Sequence, residues 1–134
     1  MSEMHDIENE VYTKVVTALR AEFSDIATSG VYVKAPPSFP YVSIIQQDSA
    51  LIKRFWNESE EYDEIMFEIG VYSNKTNTKK SECKAIAKVI NDTMTSLNFR
   101  RSSLIPVPNL EDASIYRLVA RYVAVTDGKY VYRR

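Results

Sequence analysis

Residues 61–73 read Glu61-Tyr62-Asp63-Glu64-Ile65-Met66-Phe67-Glu68-Ile69-Gly70-Val71-Tyr72-Ser73, and the fold turns on this stretch. Ile65, Phe67, Ile69 and Val71 fall at every second position, with Met66, Glu68 and Tyr72 between them. A period of two places the first set on one face of a β-strand and the second on the other, so one face is built for a core. Gly70 interrupts the polar set and predicts a bulge or a close approach of other atoms.

Moving toward the C-terminus, Asn74 to Thr78 reads as a polar turn. Cys83, Ile86, Ala87, Ile90, Met94 and Leu97 then recur at three- and four-residue steps, which predicts an amphipathic helix over roughly 78–97, with Asn77 or Thr78 as its cap. A short segment from Phe99 to Val107 runs into the Pro106/Pro108 break. A second long strand is expected over 114–126. It carries Tyr116, Leu118, Ala120, Tyr122 and Ala124 on one face, and Ile115, Arg117, Val119, Arg121, Val123 and Val125 on the other. Asp127-Gly128 predicts a two-residue hairpin leading to Tyr130-Val131-Tyr132.

Toward the N-terminus, Tyr41 to Gln47 is β-rich, with Val42 and Ile44 on one face and Tyr41 and Ile45 on the other. Val31-Tyr32-Val33 predicts a short strand stopped by Pro36 and Pro37. Ile7, Val11, Val15, Leu19 and Phe23, widened by Tyr12, Val16 and Ile26, predict a helix over 6–26. Residues 48–60 have no period. They place Leu51, Ile52, Phe55 and Trp56 among charges, as in a long connection or a protruding hairpin.

The resulting order is α-β-β-β-α-β-β-β. Its short connections suit antiparallel pairing. The expected class is α+β: two amphipathic helices packed on one face of a mainly antiparallel sheet, as a single domain over 1–134. At 134 residues one ordinary core suffices, because a chain of this size buries roughly two-thirds of its unfolded surface.

Composition excludes several functions. The formal net charge is −1, so no overall field attracts a polyanion, and nucleic-acid binding would need a local basic patch. One cysteine and one histidine leave no disulfide framework, no cysteine zinc cluster and no catalytic dyad that avoids the terminal His5. The start Met1-Ser2-Glu3-Met4-His5-Asp6 is polar and acidic, unlike a signal peptide, and no run of about 18 apolar residues predicts a membrane span. Glu58-Ser59-Glu60-Glu61-Tyr62-Asp63-Glu64 lacks the glycine and ligand spacing of a calcium loop and reads as a solvated face. Lys75-Thr76-Asn77-Thr78-Lys79-Lys80 precedes a helix but has no glycine with which to wrap a phosphate. Cys83 on the apolar stripe reads as a small buried hydrophobe. No catalytic, metal or cofactor residues are therefore assigned.

Protein contact is the remaining theme. The chain has nine tyrosines, and tyrosine serves both sheet surfaces and interfaces. Arg117 and Arg121 share a mostly apolar strand face. There they either snorkel from a half-exposed sheet or act as interface anchors.

These residues together resemble the tail-completion or tail-terminator proteins of long, non-contractile-tailed phages and related prophages. The likeness is carried by Ala35-Pro36-Pro37-Ser38-Phe39-Pro40-Tyr41-Val42-Ser43, by Val71-Tyr72-Ser73-Asn74 before the lysine-rich helix start, and by Asn98-Phe99-Arg100-Arg101. It continues through Pro108-Asn109-Leu110-Glu111-Asp112 and Ile115-Tyr116-Arg117 to Arg121-Tyr122, and closes in Tyr132-Arg133-Arg134. It spans nearly the whole chain. The resemblance implies a ring of copies, commonly a hexamer, that caps the tail tube, stops its polymerisation and meets a head connector or stopper protein. It implies a place at the tail–head junction of the virion, after assembly in the bacterial cytoplasm, with no cofactor and with DNA only in passage. Leu51, Phe55, Trp56, Arg117, Arg121, Tyr130 and Arg133 are the candidate interface residues, because tryptophan and arginine dominate interface hot spots.

Two other classes stay open at this point. A nucleic-acid or ligand-binding module is marked by Arg117, Arg121, Lys129, Arg133 and Arg134 converging on one face beside exposed Tyr130 and Tyr132, and a small head–tail adaptor of similar size is the alternative within the virion. An enzyme requires perturbed carboxylates such as Glu61, Asp63 or Glu68 in a pocket.

Overall fold

The computed structural model describes residues 7–31, 33, 36–47, 63–108, 114–126 and 131–132. In chain order the elements are α1 (Ile7–Glu22), β1 (Ala27–Ser29), β2 (Tyr41–Gln47), β3 (Asp63–Ser73), α2 (Lys79–Ser96), β4 (Arg100–Pro106), β5 (Tyr116–Thr126) and β6 (Val131–Tyr132). The strands form one sheet in the order β1-β2-β3-β5-β4, and β6 also pairs with β5. β1 and β2 are parallel; the other pairings are antiparallel. Two helices with a mainly antiparallel sheet give the expected α+β class.

The period-two reading of β3 and β5 holds along their full length. Their register is unbroken from Asp63↔Thr126 to Ser73↔Tyr116. Core rows therefore run straight across three strands: Val42–Val71–Leu118, Ile44–Ile69–Ala120 and Gln46–Phe67–Tyr122. Against this face pack Val11, Val15 and Leu19 of α1 and Cys83, Ile86, Ile90 and Met94 of α2, in one continuous core. Leu19, Phe67 and Ile86 are fully buried. Each such side chain contributes about 1.5–3 kcal/mol by leaving water. Phe67 and Phe99 meet edge to face, with ring centroids 5.5 Å apart, a favoured aromatic geometry.

Helix ends explain the boundaries. Glu8 and Glu10 in the first turn of α1 and Arg20 in its last turn complement the helix dipole. α1 stops at Glu22, short of the expected 26. Ile26 N–H donates to the Phe23 carbonyl, and this turn sends the chain into the sheet at Ala27. Phe23 and Ile26 still join the core, so the apolar period outlasts the helix. α2 ends as a Schellman motif. Asn98 N–H donates to Thr95 and Phe99 N–H to Met94, with Asn98 in the left-handed region at φ 73°. Thr78 stands at the start of α2 as expected, but its side chain makes no capping hydrogen bond.

One expectation is corrected. Among the described residues the first strand is Ala27–Ser29; of the expected Val31-Tyr32-Val33, Val31 and Val33 lie in no strand and Tyr32 is outside the described residues. The β-branched Val31 favours a strand by propensity. However, Ser29 Oγ takes its N–H at 3.1 Å and bends the chain away, leaving Val31 66% exposed. Thr126 of β5 pairs with Val131 of β6, and the expected Asp127-Gly128 turn lies outside the described residues. Of the two readings of Gly70 the close approach holds and not the bulge: Ser43 Oγ and the Tyr72 ring crowd the place a Cβ would take, while the register passes through Ser43↔Gly70↔Val119 without a shift. The irregularity falls on β4 instead, between Arg101 and Ser103.

Candidate functional site

The face of the sheet away from the helices carries the polar set of β3 and the arginines of β5. Its rows are Tyr41–Tyr72–Arg117, Ser43–Gly70–Val119 and Ile45–Glu68–Arg121. In the first row Tyr41 meets Tyr72 edge on, with centroids 5.6 Å apart, and the Arg117 guanidinium carbon stands 5.3 Å from the Tyr72 ring centre. A cation over an aromatic face gains about 0.5–2 kcal/mol, more as water is excluded. Gly70 makes this stack possible. A Cβ there would lie 3.2 Å from Tyr72 Cε1 and 3.0 Å from Ser43 Oγ, so the missing side chain leaves the space over which Tyr72 leans.

Two polar atoms in this row are buried without a hydrogen-bond partner, the Tyr41 hydroxyl and Arg117 Nε. Each costs about 1–3 kcal/mol. Arg121 behaves differently. Its Nε and Nη2 both donate to Glu68 Oε1 at 3.3 Å, in a pair open to solvent. Such pairs add about 0–1 kcal/mol to stability, so this one orients Arg121 more than it stabilises the sheet. Around the arginines Val119 and Val123 are only 4% exposed, so this face is more covered than the half-exposed sheet of the snorkelling alternative.

Of the candidate interface residues, Arg117 and Arg121 are therefore located on one face, two rows apart with the Val119 row between them, each engaged by its cross-strand neighbour. Leu51, Phe55, Trp56, Tyr130 and Arg133 lie outside the described residues. So do Lys129 and Arg134, with which a basic, single-strand-binding convergence would have to be built.

Groups that carry chemistry elsewhere are tied into structure here. Burial pushes the Cys83 thiol up to about 12, with the Glu82 charge adding to the effect. Its sulfur lies 3.7 Å from the carbonyls of both Val71 and Tyr116. A thiol held protonated in this way is a poor nucleophile. Burial likewise raises the Tyr122 phenol to about 12; the nearby Arg101 opposes this and Asp92 adds to it. Its hydroxyl donates to Asn91 Oδ1 at 3.1 Å. Two lysines at the start of α2 have partners within the fold: Lys75, before the helix, pairs with Glu82 at 3.2 Å, and Lys79, its first residue, donates to the Ser114 carbonyl at 3.1 Å. Among the described residues no three His, Cys, Asp or Glu side chains lie together as metal ligands. No described helix is long and apolar enough to cross a membrane. An open cleft of about 370 Å³ is lined by Glu8, Asn9, Tyr12, Gly30 and Ile44. The Tyr12 hydroxyl there is already bonded to Thr28 Oγ1 at 3.0 Å.

Sequence reasoning missed two features. Glu82 accepts from Ser73 Oγ at 2.5 Å and from Lys75, joining the end of β3 to the first turn of α2. Its position at a helix start was the one available signal. Ile105 on β4 is 51% exposed, and the bulge at Ser102 hid the alternation that would have assigned its face.

No protein-family model matches the sequence, and no curated protein matches it either. Among solved structures the fold is similar to a chain of the virion of native gene transfer agent (GTA) particle, with a TM-score of 0.61 and 18% sequence identity. The match covers 88% of this chain and 92% of that chain, so the helix–sheet arrangement described here is a fold that also occurs in a virion particle.

Proposed function

We propose that this chain is a virion structural protein of a tailed phage or a related particle. In this reading residues 1–134 act as one domain that joins copies of itself into a ring, a hexamer by the family resemblance. The ring caps the completed tail tube, halts its polymerisation and offers a face to the head connector or stopper protein. Its partners are its own copies, the tube protein and the connector, with DNA passing through the ring. It acts without enzymatic chemistry or a cofactor, at the tail–head junction after assembly in the host cytoplasm.

The observation that carries the reading is the fold likeness to a virion chain, because it spans nearly the full length of both chains. A fold can host many functions, so the residues have to agree. They do: Cys83, Lys75 and Lys79 are engaged in structure, and the sheet face bearing Arg117 and Arg121 offers contact chemistry. The direct test is to add the purified protein to growing tail tubes and image them by electron microscopy. Tubes of uniform length ending in a ring support the reading. Tubes that lengthen without limit and bear no terminal ring overturn it.

A further inference from the structure

We infer that neighbouring copies in the ring meet edge to edge, the outer edge of β4 on one copy docking against the β1 corner of the next. The inference rests on the ring reading above and names the contact that would build it. A ring requires heterologous contacts, in which each copy presents two different and complementary patches. The two edges of the sheet meet that requirement. β1 and β4 are the end strands, and among the described residues no strand pairs with either outer edge.

Two large apolar side chains are exposed among the described residues, Val31 at 66% and Ile105 at 51%. They fall at opposite ends of the sheet. Val31 is held just past β1 by Ser29 Oγ, and Ile105 lies on β4 in register with Val119. Charge differs in the same sense. β4 contributes exposed Arg100 and Arg101 and no acid, whereas the turn from α1 into β1 carries exposed Glu22 and Asp25 beside a single Arg20. Glu22 and Asp25 make no ion pair among the described residues. A second copy thus offers β4 an apolar anchor past one end of β1 and carboxylates before the other, as β4 itself carries Ile105 toward one end and Arg100 and Arg101 at the other.

The contact is made by side chains and not by a shared ladder. β1 is three residues long, and β4 is broken by the bulge between Arg101 and Ser103 and ends at Pro106. Bulges, prolines and charges are the devices that prevent continuous edge pairing. They allow a reversible contact that closes a ring while blocking runaway sheet growth.

The test uses Val31→Asp and Ile105→Asp, singly and mixed, in full-length protein with and without tail tubes, followed by sedimentation velocity and electron microscopy. Both positions are exposed, so both variants should retain the circular dichroism and melting of the parent; Lys84→Glu, on the exposed face of α2, is the control. Losing one buried apolar side chain with a charge in its place should weaken association on the order of ten- to a hundred-fold. Each variant alone should therefore fail to form rings. Their equimolar mixture should form pairs but no rings, because each mixed pair retains one intact β4–β1 contact. Rings formed by both variants at parental concentrations would overturn this contact while leaving the ring reading standing. Loss in both variants with no pairing in the mixture would also overturn it, since the contact would then not be heterologous. A parent chain that forms no ring even on tubes would remove both readings together.

Discussion

Gly70 and Asn98 show how single residues hold this architecture. In a strand, replacing glycine by alanine ordinarily helps by about 0.5–1 kcal/mol. At position 70 the added methyl meets Ser43 Oγ at 3.0 Å and Tyr72 at 3.2 Å, in a face where Arg117 already bears on the Tyr72 ring. Gly70→Ala should therefore destabilise by about 1–2 kcal/mol, the usual cost of overpacking. Urea denaturation reads this directly, and a stabilised variant would mean that Tyr72 moves aside freely. Asn98 closes α2 at φ 73° and also donates from Nδ2 to the Val131 carbonyl at 3.0 Å, so it fixes β6 as well as the helix end. Asn98→Val should cost about 1–2 kcal/mol, because a β-branched residue is forced into the left-handed region. Asn98→Gly should stay close to the parent in global stability but loosen β6, which amide exchange at Val131 and Tyr132 would report.

Among the elements, α2 is the one most dependent on a single contact. Its first turn is anchored by Glu82, whose carboxylate accepts from buried Ser73 and from Lys75, while Lys79 reaches the Ser114 carbonyl. The side chain of Thr78 does not cap the helix, so Glu82 carries the electrostatic complement to the N-terminal dipole. Glu82→Ala should destabilise by about 1–3 kcal/mol, since the buried Ser73 hydroxyl, which still accepts from the Lys75 N–H, then has no acceptor for its own proton. Glu82→Gln, which keeps the acceptor oxygen, should recover part of the loss. Equal losses in the two variants would show that charge alone matters. β4 is the opposite kind of element. It is exposed along most of its length, bulged and closed by Pro106, and belongs to the surface.

At the scale of the whole molecule, one core holds both helices to the sheet. Phe99 packs edge on against Phe67 where α2 hands over to β4. Phe99→Ala should cost about 3–5 kcal/mol, a large share of the stability of a domain this size. Stability should also fall in alkali. Cys83 and Tyr122 have folded pKa values raised to about 12 from ordinary values of 9.0 and 10.0. A raised acid favours folding while protonated. Its contribution is fully present below its unfolded pKa and is lost as pH climbs toward the folded one. Denaturation midpoints, measured in reductant, should therefore hold from neutrality to about pH 9 and decline from there toward pH 12. Cys83→Ala should move the onset of that decline toward pH 10, where Tyr122 alone remains. An unchanged onset would assign the effect to other groups.

Periodicity alone was enough for the class of fold, because β3, β5 and α2 bury a single face over many residues and each apolar position repeats the same message. It located the arginines on the second sheet face for the same reason: Arg117 and Arg121 are out of phase with the core positions. It failed where local preference and tertiary position disagree. Val31 favours a strand, yet the sheet takes Ala27–Ser29, because the turn after α1 delivers those residues beside Tyr41 to Ser43. The closeness of Tyr41 and Arg117 to Tyr72, and the demand this makes on Gly70, could not be read along the chain. These residues come from three strands, and only register brings them together. The same is true of the opposed edges. Val31 and Ile105 are ordinary apolar residues in sequence, and their exposure at the two ends of one sheet is a property of the strand order β1-β2-β3-β5-β4, which arises when non-adjacent strands pair.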